Sequence, residues 1–168
     1  MIALLSVCPI RLGNLATLRI GHQLRRVRGA WWIILEESET KSGRPDERPI
    51  PEILTSHIDD WIEHWHKIFL DPADAVWPSI KGGALAYTYV GEIITKTTLR
   101  EIGVAVNPHL FRDCAVFTIA TVAGDRMGVA SDLLQHADSR TIDKHYNNGA
   151  RIGAVRKYHQ ILDQSMGD

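Results

Sequence analysis

A strand-forming segment, LRRVRGAWWIILEE at residues 24–37, most constrains what this chain can fold into. Its valine, isoleucine and tryptophan residues favour strands, and Arg28-Gly29 has the composition of a tight turn. The following ETKSGRPDERPIP has Ser42-Gly43 at its centre and then resumes the pattern. We therefore predict a small antiparallel meander of two or three strands.

Apolar residues at helical spacing dominate the rest of the chain. In RLGNLATLRIG, Leu12, Leu15 and Leu18 recur three apart and Gly21 follows as a cap, while Asn107-Pro108 combines an N-cap residue with proline at the first helical position. The fold class is therefore α+β, a mainly helical single domain over residues 1–168 with a small antiparallel sheet of about three strands. Helices are predicted from Arg11 towards Gly21, over 51–70, 86–102, 109–124, 126–135 and 150–165, and from near Ser139 through Tyr146.

Composition excludes several classes of protein. The net charge is −1 and the pI about 6.7, so affinity for nucleic acid has to come from local clusters of charge. No apolar run approaches the roughly 18 residues of a membrane span, and no basic segment precedes the apolar start, so we expect no membrane association and a cytoplasmic location. Cys8 and Cys114 lack the spacing of a metal or redox site and are predicted to be small core residues.

Two clusters of ionisable residues have alternative interpretations. Five arginines fall within eighteen residues and form either a local DNA-binding patch or a solvated face: Arg11, Arg19, Arg25, Arg26 and Arg28. Three histidines, His57, His64 and His66, suggest a metal site at first sight. Because His64 and His66 are two apart on a predicted helix, they point in different directions, and we interpret all three as surface residues.

Candidate catalytic residues occur in a fixed order along the chain. His109 and Arg112 are three apart at the start of a predicted helix, where side chains on one face and free backbone amides attract an anion such as phosphate. Four other residues accompany this pair: Arg11 after an apolar stretch, Lys41 in a hairpin turn, His136 after Leu133-Leu134, and Tyr146 ten residues beyond His136.

The ordered set Arg, Lys, His-x-x-Arg, His, Tyr resembles the signature of tyrosine recombinases of the phage integrase type. The segments PIRLGNLATLRIG, ETKSGRP, NPHLFRD and DLLQHADSRTIDKHY are each similar to the corresponding part of that family, and the resemblance spans about residues 3–150. The sequence departs from the family pattern at Asn14, Asp113 and Gln135, and the interval from His136 to Tyr146 is one residue longer than is common. None of these changes removes a catalytic group.

The resemblance implies a role for each candidate residue. Arg11 and Arg112 would clamp the phosphate with planar guanidinium groups, and Tyr146 would attack the phosphorus to form a 3'-phosphotyrosine and a free 5'-hydroxyl. His109 would take or share the proton of the nucleophile, His136 would donate a hydrogen bond to the phosphate, and Lys41 would protonate the leaving 5'-oxygen. Neither ATP nor a metal is needed, so no cofactor is expected, in keeping with the absence of GxxxxGK[ST] and HExxH motifs from the sequence.

The same resemblance implies double-stranded DNA as partner and a homo-oligomer on DNA, a tetrameric synapse. Family members usually carry an N-terminal helical domain that closes around DNA, and only ten residues precede Arg11, so residues 1–168 are expected to be the catalytic domain alone. Residues 150–168 either dock on a neighbouring subunit or fold on their own domain. Two other functions stay open: a catalytically weak DNA-binding remnant, and a type IB topoisomerase that relaxes supercoils.

Overall fold

A computed structural model describes residues 1–122, 127–134 and 152–160. The chain divides into two compact units, Met1–His109 and Leu110–Asp168. The expectation of one domain over the whole chain stays a prediction.

Seven α-helices are present in the described residues, and the first of them, Ile2–Val7, was not predicted from the sequence. Two short helices begin the chain, α1 (Ile2–Val7) and α2 (Leu12–Ala16), and α3 (Thr55–Asp60) follows the sheet. The longer ones are α4 (Tyr87–Ile102), α5 (Pro108–Val122), α6 (Met127–Leu134) and α7 (152–160). The predicted helix through Tyr146 lies outside the described residues.

The predicted meander is confirmed as a three-stranded antiparallel sheet in the order β1-β2-β3. Its strands are β1 (Leu24–Val27), β2 (Ala30–Leu35) and β3 (Asp46–Pro49). Arg28 and Gly29 have φ of 50° and 87°, so both residues of the β1–β2 turn are left-handed, which matches the twist of a hairpin. The α+β fold class predicted from the sequence is therefore confirmed.

The first unit packs one face of the sheet against its helices. Trp31, Ile33 and Leu35 alternate on β2 and are buried, while their neighbours on the strand are partly exposed or exposed. From α4, Val90 and Ile94 enter the same unit's core, both fully buried. The core extends over both short N-terminal helices and the 75–77 loop, and its members include Leu5, Ile10, Leu15, Leu18, Leu24 and Val76.

The helix predicted over 51–70 is broken into turns of different type. It begins with a 3-10 turn at Glu52–Leu54, continues as α3, widens to a π-helical turn at Trp61–Trp65 and ends with a 3-10 turn at His66–Ile68. A π turn inserts a residue into the helical period and moves every later side chain around the axis.

This slip corrects one interpretation from the sequence. His66, interpreted as a surface residue, is 7% exposed, whereas the neighbouring Trp65 is 55% exposed. The His66 Nε2 lies 2.7 Å from the carbonyl oxygen of Ala75, so the imidazole fills the inward position and bonds to the backbone there. The exposed positions of His57 and His64 agree with the sequence-based interpretation.

The helix predicted from Arg11 towards Gly21 is shorter than its leucine spacing suggests. It ends at Ala16, and Thr17 is its C-cap residue. Leu18 is nevertheless buried, because the chain has become extended and the Leu18 carbonyl accepts a hydrogen bond from the Val76 N–H (2.9 Å). Gly21, with φ of 81°, lies in the turn before β1 and not at the end of the helix.

In the second unit, α5, α6 and α7 each contribute to the packing. Val116, Ala120 and Leu134 form a buried apolar cluster with Ile119 and Leu133 at its edge. Gly153 of α7 faces α5 so closely that an added Cβ would lie 3.0 Å from the Thr121 carbonyl oxygen. The absence of a side chain at Gly153 therefore sets how closely α7 approaches α5.

The two cysteines differ, although both were predicted to be core residues. Cys8 is buried, and burial raises the pKa of its thiol to about 11 against the opposing effect of Arg48. Cys114 is exposed on α5, so its assignment to the core is wrong. Its helical position faces away from the cluster that contains Val116 and Ala120.

We expect iodoacetamide to modify Cys114 but not Cys8 in the native protein, because only an accessible thiolate reacts. Mass spectrometry after labelling at pH 8, with and without urea, measures this.

The raised pKa of Cys8 also predicts a dependence of stability on pH. Burial of the neutral thiol stabilises the folded chain below pH 9, and this contribution is lost as the pH rises from 9 to about 11. Rapid labelling of Cys8 in the folded chain would contradict both expectations.

We expect Gly153→Ala to destabilise the chain by about 1–2 kcal/mol, because the new methyl group meets backbone that has little freedom to move. Gly13→Ala is the matched control: it also lies in a helix, nothing lies within 4 Å of its added Cβ, and it should gain roughly 0.5–1 kcal/mol of stability. Urea unfolding measures both changes. Equal effects would mean that α7 does not pack closely on α5.

Candidate active site

Arg11 is fixed in place by the backbone on both sides of it. It is the N-cap residue of α2, with extended dihedral angles, and its carbonyl accepts the Leu15 N–H at 2.9 Å. Ile10 before it and Leu15 after it are both buried in the core. The Arg11 side chain is half-buried and makes no hydrogen bond or ion pair within the described residues. It is therefore a positioned cation whose charge is available to an anion.

Lys41 lies in the β2–β3 connection, as predicted. The connection begins with a 3-10 turn at Glu37–Glu39, in which Glu36 and Glu39 form a capping box. Lys41 follows and is exposed, and within the part of the chain that the structure describes its ammonium group has no partner. Its long side chain is free to reach a ligand.

His109 occupies the second position of α5, and the predicted N-cap is confirmed. The Asn107 Oδ1 accepts a hydrogen bond from the His109 backbone N–H at 2.9 Å, and Pro108 is the first residue of the helix. The His109 side chain is exposed. The local sequence therefore places an accessible imidazole at the amino end of a helix, where the backbone favours negative charge.

Arg112 is one helical turn further along α5, but it is 4% exposed. Its Nη2 donates a hydrogen bond of 2.6 Å to the carbonyl oxygen of Leu134, the last residue of α6. A hydrogen bond from a charged donor to a carbonyl oxygen is stronger than one between two neutral groups. Arg112 thus fastens the end of α6 to α5, and in sequence that end is two residues before His136.

The candidate residues are distributed over both units. Arg11 and Lys41 lie on separate elements of the first unit, while His109 and Arg112 share α5. His136 and Tyr146 lie outside the described residues. The structural role of Arg112 was not foreseen from the sequence, because no local pattern indicates that an arginine will bond to a carbonyl twenty-two residues away.

A second cation in the β2–β3 connection was also missed. Arg44 is exposed three residues after Lys41, and its guanidinium group has no partner among the described residues. The one signal in the sequence is Thr40, a residue type that closes turns through its hydroxyl group. The Thr40 Oγ1 accepts the Arg44 backbone N–H at 3.1 Å.

Most of the arginine cluster near the start of the chain is neutralised by acidic residues. Arg19 pairs with Asp74 at 2.7 Å, Arg26 with Asp59 at 3.3 Å, and Arg25 lies 3.7 Å from Glu36. Of the five arginines, only Arg11 and Arg28 lack such a partner within the described residues. The structure thus favours the interpretation of a solvated arginine-rich face over that of a local DNA-binding patch.

Two other features bear on the kind of site. In the described ranges, no group of three or more His, Cys, Asp and Glu side chains is arranged to hold a metal ion. Across those same ranges, no helix combines the length and the apolar character that crossing a membrane requires.

Several solved structures are similar to this chain. A XerA recombinase superposes with a TM-score of 0.70 at 15% identity, covering 94% of this chain and 55% of that one. The XerH site-specific recombinase in a post-cleavage complex with a palindromic difH substrate gives a TM-score of 0.71 at 14% identity, covering 96% and 44%. The Tn1549 transposon integrase in complex with transposon right end DNA gives 0.62 at 16% identity, covering 92% and 57%.

These similarities establish the fold. The chain has the fold of a tyrosine recombinase catalytic domain, as the sequence resemblance implies. It spans about half the length of the structures that it matches. No protein-family model matches the sequence, and no curated protein matches it.

We expect Arg112→Ala to lower the free energy of unfolding by about 2–4 kcal/mol, because it removes a buried charged donor from the Leu134 carbonyl and leaves a cavity. Lys41→Ala, at an exposed position, should leave stability unchanged. Urea denaturation followed by circular dichroism measures both variants. An Arg112→Ala protein as stable as the parent would show that the bond to Leu134 does not hold α6.

Proposed function

We propose that this chain cleaves and rejoins DNA strands as the catalytic domain of a site-specific recombinase or integrase, through a 3'-phosphotyrosine intermediate. The observation that carries the proposal is Arg11, a half-buried guanidinium without an anionic partner in the described residues, held at the start of α2. It lies on a fold that the XerH and Tn1549 integrase structures share, and those two proteins are bound to DNA.

The reaction requires cationic stabilisation at the phosphate. Attack by an oxygen nucleophile on a phosphodiester builds negative charge on the nonbridging oxygens, and fixed donors lower the energy of that state. Arg11 and Arg112 would supply two guanidinium groups, which stay charged at all physiological pH values and bind phosphate in a bidentate manner.

Tyr146 would be the nucleophile. A phenol ionises only near pH 10, so a neighbouring base has to take its proton as the bond to phosphorus forms. His109, exposed at the start of α5, would take or share that proton, and His136 would donate a hydrogen bond to the phosphate. Lys41 would give a proton to the 5'-oxygen as the P–O bond breaks. Rejoining reverses these steps with a 5'-hydroxyl from the same or another strand.

The proposed partner is double-stranded DNA, and the proposed assembly is a homo-oligomer, a tetramer in the synapse. Strand exchange between two duplexes requires four cleavage events, which is why one nucleophile per chain implies four chains. We further propose that residues 1–168 act as the catalytic domain, with the grip on the opposite side of DNA supplied from outside this segment.

A second candidate function is that of a DNA-binding remnant with weak catalysis. One observation favours it: Arg112 is buried and bonded to Leu134, so part of its donor capacity is already committed inside the protein. Such a remnant would bind duplex DNA and form little or no covalent adduct.

The test is covalent capture on a nicked suicide duplex, prepared from the DNA that flanks the gene, in buffer that contains EDTA. We expect an adduct that survives denaturation, and Tyr146→Phe should abolish it because phenylalanine lacks the nucleophilic oxygen. Tyr158→Phe is the matched control, since Tyr158 is an exposed tyrosine of α7 that has no assigned role.

The outcomes separate the two candidates. An adduct that Tyr146→Phe abolishes and Tyr158→Phe leaves unchanged supports recombinase chemistry. Binding of DNA without an adduct supports the remnant. An adduct that persists in Tyr146→Phe contradicts the assignment of the nucleophile.

A further inference from the structure

The β2–β3 connection holds its shape by bonds within itself. The Thr40 hydroxyl oxygen lies 2.7 Å from the Arg44 carbonyl oxygen and accepts the Arg44 N–H at 3.1 Å, while the Gly43 N–H donates to the Thr40 carbonyl at 3.2 Å. Gly43 has φ of 63°, which closes the turn in the left-handed region. Residues 40–44 therefore form a closed loop that is held by the Thr40 hydroxyl group. The side chains of Lys41 and Arg44 are both exposed to solvent.

The acidic residues beside this loop are mostly engaged elsewhere. Glu39 accepts from the Gln23 side chain and, at 2.8 Å, from the Glu36 N–H. Asp46 holds Arg48 through two hydrogen bonds of 2.8 Å. Glu37 is exposed and is not bonded to Arg44 in the described structure. The loop therefore presents two cations whose charge is not cancelled by an ion pair.

We propose that Arg44 binds a phosphate of the DNA backbone beside the cleaved one and so positions the loop for Lys41. This inference rests on the proposed function, in which Lys41 protonates the leaving oxygen. Each DNA strand carries a phosphate every 3.4 Å along the helix axis, so two side chains three residues apart in a closed loop can meet neighbouring phosphates. Arg44 is a positioning residue, and Lys41 is the one that touches the reacting atoms.

Arginine and lysine have different tasks in this arrangement. A guanidinium group forms two parallel bonds to phosphate oxygens and keeps its proton, which suits it to hold the backbone. An ammonium group on a flexible stem can lose a proton and regain it, which suits proton delivery. Thr40 links the two residues, because its hydroxyl group bonds to the backbone of Arg44 and Lys41 is the next residue in the chain.

The test uses the full chain and a matched pair of neutral variants, Arg44→Gln and Arg28→Gln. Arg28 is also exposed and lacks a partner within the described residues, but it lies in the β1–β2 turn at the other end of β2, a six-residue strand about 20 Å long. Binding of duplex DNA is measured as a function of salt concentration, together with the single-turnover rate of adduct formation at saturating DNA.

We expect Arg44→Gln to weaken duplex binding about three- to tenfold and to reduce the slope of log affinity against log salt by about one, because one phosphate contact is lost. Arg44→Lys should restore the slope. At saturating DNA, the cleavage rate of Arg44→Gln should still fall, because the loop is no longer held for Lys41. Arg28→Gln should change neither quantity.

Equal salt slopes for Arg44→Gln and the parent would overturn the proposal, as would equal effects of Arg44→Gln and Arg28→Gln. If the parent binds DNA but forms no adduct, the proposed cleavage fails, and the salt slope alone still decides whether Arg44 contacts a phosphate. If the parent binds no duplex, both proposals fall together.

Discussion

The position of α2 in the first unit depends on the buried indole of Trp77, which connects this helix to the core. Its Nε1 donates a hydrogen bond of 2.9 Å to the Leu15 carbonyl at the end of α2, and its ring lies 6.0 Å from that of Trp61. Trp61 in turn donates to the Val76 carbonyl at 2.9 Å. Two large apolar rings thus satisfy backbone carbonyls that a buried chain has to pair. Because α2 is held in this way, the Arg11 residue that caps it has a fixed position.

Elements whose boundaries depend on local sequence could be predicted from the sequence. The Arg28-Gly29 turn and the Asn107-Pro108 start of α5 were predicted correctly, because left-handed dihedral angles and an unpaired N–H impose a choice of residue within two or three positions. Predictions were wrong where a contact between residues distant in sequence decides which side chain is buried. The π turn at Trp61–Trp65 turns His66 inward to the Ala75 carbonyl, and apolar spacing contains no sign of that bond.

The residues of the candidate site also divide into those whose exposure follows from local sequence and those whose burial depends on distant contacts. The exposed positions of Lys41 and His109 follow from the turn and the helix start on which they lie, both of which are readable in the sequence. The burial of Arg112 does not, because it depends on where the carboxyl end of α6 packs. Through its bond to the Leu134 carbonyl, the residue expected to bind phosphate also holds the carboxyl end of α6.

The distribution of charge explains how a nearly neutral chain can still present cations that are not paired with acidic residues. Residues 1–35 contain five arginines and no acidic residue, so the remaining 133 residues carry 14 lysines and arginines against 20 acidic residues, a formal charge of −6. Three of the five arginines pair with acidic residues of the later segment, each pair weakly because both partners are partly exposed. The three ion pairs offset part of the positive charge of these arginines. Of the cations without an ion pair in the described chain, Arg11, Lys41 and Arg44 are those that the proposed function assigns to phosphate, whereas Arg28 lies in the β1–β2 turn, at the other end of β2 from Lys41 and Arg44.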